Sequence, residues 1–104
     1  MKKMLLALGV IATISVIASG ACAENNAGEK KFKELCAVCH PDGGNIINPN
    51  KTLHKKDREA NKVKTAADII KVMRNPGPGM NPFDKKAVSD KDAKAIAEYV
   101  LKTF

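Results

Sequence analysis

Apolar residues fall into one continuous run near the start of the chain and three spaced stripes after it. Phe32, Leu35, Cys36 and Cys39 recur at helical spacing and predict a first helix over about 28–38. Pro41-Asp42-Gly43-Gly44-Asn45 is turn chemistry that stops it, and a loop continues through Pro49. The charged stretch Thr52 to Asn61 reads as a short surface helix. Thr65-Ala66-Ala67-Asp68 fits a capping pattern, and Ile69, Ile70, Val72 and Met73 carry a helix from there to about Asn75. Pro76-Gly77-Pro78-Gly79 cannot stay helical. Ser89-Asp90-Lys91-Asp92 caps a last helix whose buried stripe is Ala93, Ile96, Val100 and Phe104, with Tyr99 at its edge. No segment makes a convincing strand and no repeat appears, so the expected fold is all-α, four or so helices.

The continuous run, Met4 through Ile17, follows Lys2 and Lys3 and gives way to small residues ending in Ala21-Cys22-Ala23. A positive start, a short apolar run and an A-x-A site together read as an export signal over 1–23, leaving one domain over 24–104. The run is short for a membrane span, so no transmembrane segment is expected. Ser19-Gly20-Ala21-Cys22 also weakly resembles a lipoprotein box, which would anchor the domain to a membrane through Cys22. Either outcome places the domain outside the cytoplasm; the periplasm is the expected location.

Charge alters the picture only modestly. The full chain has 18 basic and 11 acidic residues, formally +7, and loss of Lys2 and Lys3 with the leader takes this to +5. Lys30, Lys31 and Lys33 crowd the first helix and read as a solvated face. The aromatics are Phe32, Phe83, Tyr99 and Phe104, with no tryptophan. So small a domain struggles to build a sufficient core unaided and gains from a bulky apolar cofactor.

The motif that carries chemistry is C-A-V-C-H, residues 36–40. A redox dithiol, half a zinc site and a c-type haem attachment point compete for it. The dithiol normally comes with a βαβ pattern, which is missing here, and a four-ligand zinc site lacks donors, His54 being the only other histidine. C-x-x-C-H is the haem attachment pattern, and haem c is the leading reading. Cysteines three apart on a helix share one face and reach the two vinyl groups of one porphyrin, with the imidazole of His40 offered to the iron.

The opposite face of the haem is open or takes His54, Met73 or Met80. Met73 lies mid-helix among apolar neighbours and reads as core filling. His54 lies in the charged segment and reads as solvent-exposed. Met80 follows a rigid non-helical loop able to hold a thioether in place, and is the expected ligand. A His/Met pair raises the reduction potential and leaves no site for substrate, which describes an electron carrier. An open distal site would instead describe a haem enzyme or sensor of peroxidase or gas-binding type.

C-A-V-C-H, G-G-N-I-I-N-P-N-K-T-L, G-M-N-P-F and A-E-Y-V-L, in that order, resemble a class I c-type cytochrome, most of all cytochrome c6, over about residues 26–103. The resemblance implies a small cytochrome c fold wrapped around one covalent haem, with Cys36 and Cys39 as attachment points and His40 and Met80 as axial ligands. It implies that the Pro49 carbonyl accepts the proton on the other nitrogen of His40, and that Asn45 and Lys51 lie near the haem and its propionates. It implies that Gly28 and Phe32 pack against Tyr99 where the first and last helices cross. Two departures stand out. Met80-Asn81-Pro82 moves the family's proline by one position, and Val72 stands where a glutamine beside the haem is frequent. A respiratory or metal-reducing chain therefore fits as well as a photosynthetic one. Expected partners are redox proteins with acidic docking surfaces; the chain is expected to be monomeric, and nucleic acid is an unlikely partner for an exported haem protein.

Overall fold

The computed structural model describes the backbone of residues 20–104 and the side chains of residues 26–104. Most of the expected leader lies outside the described residues, as does the side chain of Cys22. Four α-helices and no strand are described: α1 (Gly20–Leu35), α2 (Lys55–Ala60), α3 (Ala66–Arg74) and α4 (Asp90–Thr103), with a 3₁₀ turn at Pro41–Gly43. The all-α expectation holds.

The first helix begins earlier and ends sooner than its apolar spacing predicts. Cys36 N donates to Phe32 O at 2.8 Å, but Ala37 N reaches back to the same oxygen at 2.9 Å. That widened turn ends the regular ladder at Leu35. C-A-V-C-H is therefore a turn and not the last turn of a helix. Its own bonds close it: Cys39 N to Cys36 O at 3.2 Å and His40 N to Cys36 O at 2.9 Å.

The two capping expectations are met. The Thr65 hydroxyl accepts from Asp68 N at 3.1 Å while the Asp68 carboxylate accepts from Thr65 N at 3.0 Å, a reciprocal capping box. Ser89 accepts from Asp92 N at 3.1 Å at the start of α4. The charged segment is shorter than expected, six residues from Lys55, and it hides Arg58, which is 5% exposed.

Helix α4 is the spine. It packs on α1 and on α3, and its Ala93, Ile96, Ala97 and Val100 join Phe32, Ile69, Met73 and Val88 in one core. The α1–α4 crossing is close because Gly28 has no side chain: a Cβ there would overlap the carbonyl oxygen of Ala95. One turn on, Phe32 stacks against Tyr99 with centroids 5.3 Å apart and against Phe104 at 5.5 Å. The packing implied for Gly28, Phe32 and Tyr99 is thus present. Gly43, at φ +79°, sits where any side chain would strike the Phe104 ring.

Candidate functional site

A cavity of about 480 Å³ opens between the C-A-V-C-H turn, the 45–53 loop, α3 and the 75–83 loop, with Ile96 and Val100 of α4 at its floor. That is the size range of cofactor and ligand pockets. Its walls are largely apolar, from Phe32, Leu35, Val38, Leu53, Val63, Ile69, Val72, Met73 and Phe83. Most of the polar side chains come from one stretch, Asn45, Asn48, Lys51, Thr52, Arg58 and Asn61, with Asn75 and Asn81 on the 75–83 loop; among the described residues no carboxylate lines the cavity. A flat amphiphilic group with an apolar body and anionic ends fits such a wall. Haem, with its propionates, has that character.

Cys36, Cys39, His40 and Met80 all reach this cavity, and all are half-buried. The two cysteines are free thiols, and burial pushes the Cys36 thiol up to about 11. Among the described residues no three of His, Cys, Asp or Glu gather as a metal cluster. His40 is oriented by its second nitrogen: Nδ1 lies 2.7 Å from Gly44 O. A carbonyl can only accept, so Nδ1 carries the proton and Nε2 keeps its lone pair for a ligand.

That partner differs from the one implied by resemblance. Pro49 is exposed and does not line the cavity. The 3₁₀ turn reverses the chain just after His40, with Gly44 N donating to Pro41 O at 2.9 Å, and this brings the Gly44 carbonyl to the ring first. Asn45 and Lys51 do line the wall and are joined, Asn45 Nδ2 donating to Lys51 O at 2.9 Å. Asn45 Oδ1 accepts from Ile47 N and Asn48 N, a side-chain turn that shapes the loop. Val72 lies at the cavity rim, 37% exposed. Of the other candidate ligands, Met73 is buried in the core and borders the cavity. His54 is exposed, precedes α2, sets its ring edge-on to Phe104 at 5.8 Å and does not reach the cavity.

Two arginines escaped the reading of the sequence. Arg74 Nη1 donates to Phe83 O at 3.1 Å and Val88 O at 2.7 Å, and Nη2 pairs with Asp90 at 3.0 Å. With Phe83 N on Met73 O at 2.8 Å, this closes the loop that carries Met80. Its partners lie up to 16 positions away, so no local pattern marks it. Arg58 is buried at the cavity wall, and a six-residue helix is too short to reveal a buried stripe.

Comparison with known proteins agrees with this architecture. Residues 23–100 match the family described as cytochrome C oxidase, cbb3-type, subunit III. The chain is 39% identical over 74 residues to a cytochrome c6 of Cyanidium caldarium, covering 71% of this chain and 66% of that protein, just under two thirds. It is 38% identical over 104 residues to a cytochrome c6 of Pyropia yezoensis, covering 97% of this chain and 94% of that one. Among solved structures it is similar to OmcF, an outer membrane cytochrome of Geobacter sulfurreducens. That match has a TM-score of 0.72 and 45% identity, over 74% of this chain and 98% of that chain.

Proposed function

The chain belongs to the class I c-type cytochromes of the cytochrome c6 kind, electron carriers that hold one covalent haem c, and from that premise we propose how its residues do this work. Cys36 and Cys39 would hold the haem through thioether links to its two vinyl groups. His40 Nε2 and Met80 Sδ would be the protein's ligands to its iron. The haem would supply one-electron chemistry; a thioether from Met80 would favour its ferrous state, raise the potential and leave no position for a substrate.

The observation that supports this most is the convergence of Cys36, Cys39, His40 and Met80 on one cavity that, among the described residues, no carboxylate lines. The orientation of His40 through Gly44 supports the proximal assignment. Ferric protein matured with haem is expected to have the far-red absorption band of methionine-ligated iron, and Met80→Ala to lose it with a lowered midpoint potential. A parent spectrum of high-spin iron, or a band that survives Met80→Ala, rejects the assignment of Met80.

We read the leader pattern as an export signal and place the mature chain, residues 24–104, in the periplasm as a monomer. Among the described residues no helix is long and apolar enough to cross a membrane. Mass spectrometry of the N-terminus separates cleavage after Ala23 from a lipid on Cys22. The formal positive charge supports an acidic partner surface, and association that slows as salt rises is the expected result. A rate unchanged by ionic strength rejects charge steering.

A further inference from the structure

Arg58 presents a problem that the protein alone does not solve. It is 5% exposed, and its Nε donates to Leu53 O at 2.7 Å. Its two terminal nitrogens have no hydrogen-bond or ion-pair partner among the described residues. Among the described residues no fully enclosed side-chain nitrogen or oxygen lacks a partner, so these nitrogens border open space, and the open space that Arg58 lines is the cavity. A guanidinium cannot shed its proton to escape burial, so a buried one calls for an anion.

The neighbouring charges do not supply one. Lys51 is the other cation of the lining and is exposed. The Asp57 carboxylate takes the Thr52 hydroxyl. His54 is exposed and packs on Phe104. The cavity faces of α3 and α4 and of the 75–83 loop add no charged side chain.

We propose that Arg58 is the counter-charge for one haem propionate, its terminal nitrogens donating to the carboxylate oxygens. This rests on the haem reading above and adds a residue to it. The buried cation keeps that propionate ionised, and its field favours ferrous over ferric iron. Lysine at this position keeps the charge but loses the planar fork that matches a carboxylate.

The test uses haem-loaded parent, Arg58→Met and Arg58→Lys, with haem labelled with carbon-13 in the propionate carboxyls. In Arg58→Met one propionate is expected to titrate at least one pH unit higher than in the parent, a tenfold change in its proton affinity. The midpoint potential of that variant, read where both propionates are ionised, is expected to fall. Arg58→Lys is expected to lie between. A parent without covalent haem overturns the function and this proposal with it. A haem-loaded Arg58→Met whose propionates titrate as in the parent overturns the Arg58 assignment alone. Should Arg58→Met not accumulate, a crystal structure of the haem-loaded parent decides. A terminal nitrogen about 2.7–3.2 Å from a propionate oxygen is expected; a guanidinium bonded elsewhere refutes the pairing.

Discussion

Gly28→Ala is the sharpest test of how the helices are held. A Cβ at this position would overlap Ala95 O, lie 2.8 Å from Ala95 C and 3.2 Å from Tyr99 Cβ. Two of those three are backbone atoms of α4 and cannot rotate aside. The overlap with Ala95 O is the tightest of the three, and restoring ordinary van der Waals contact there requires α1 and α4 to part by roughly 1 Å. Phe32 moves with Gly28, so its stack on Tyr99 and Phe104 loosens as well. Overpacking of this kind costs about 1–3 kcal/mol, and alanine returns about 0.5–1 kcal/mol of helix propensity. A net loss of roughly 1–2 kcal/mol corresponds to a Tm lower by roughly 4–16 °C in a domain of this size. Thermal and urea unfolding of the haem-loaded protein, followed by helical circular dichroism and the Soret band, measures it. Gly77→Ala is the control, because a Cβ there would meet only Lys51 Nζ, at 4.0 Å; it is expected to be neutral or slightly stabilising. A Gly28→Ala protein as stable as the parent would falsify the close-crossing argument.

Four further outcomes are expected. Cys36→Ser or Cys39→Ser gives little folded holoprotein, because the core is small and the cavity lies at its centre; cooperative, native-like unfolding of haem-free protein counts against this. Val72→Gln raises the midpoint potential without removing the far-red band, since an amide dipole at the cavity rim acts on the relative stability of the two iron states; an unchanged or lowered potential in redox titration at one pH sinks the idea. Thr65→Ala costs about 1 kcal/mol by removing the α3 cap. The partner carboxylate of that cap, Asp68, is held below the usual range by backbone N–H donors at Lys64 and Thr65 and by the Thr65 hydroxyl. Its contribution is therefore complete above about pH 3.9, the ordinary aspartate value, and is lost as pH falls from there through the depressed folded value. Asp68→Asn removes that acid limb in denaturation measured against pH, and an unaltered profile refutes it.

What could be read from the chain and what could not divide along a physical line. Thr65 and Ser89 announce their helices because a cap is a local bond, spanning three residues. Ala93, Ile96 and Val100 announce a buried face because the helical period repeats often enough in α4. C-A-V-C-H and Met80 stand out in the sequence through motif and loop, and the fold brings them to one cavity. The end of α1 was not legible, because the apolar spacing of Cys36 and Cys39 continues through a turn that bonds differently. The choice of Gly44 over Pro49 depends on how the 3₁₀ turn folds back, which composition does not encode. Arg58 and Arg74 look like surface cations in the sequence. Only tertiary packing buries the one and gives the other partners 9 to 16 positions distant.

The closure made by Arg74 bears on speed as well as shape. An electron carrier is fast when little has to move as charge arrives and departs. The segment bearing Met80 is fastened at its far side to the last turn of α3 and to the start of α4. It is laid like a buckled strap, with the backbone beneath Met80 held in one course. Rigidity at that buckle is a kinetic property. Cutting it is expected to show first in a slower self-exchange of electrons, before any change in the resting spectrum.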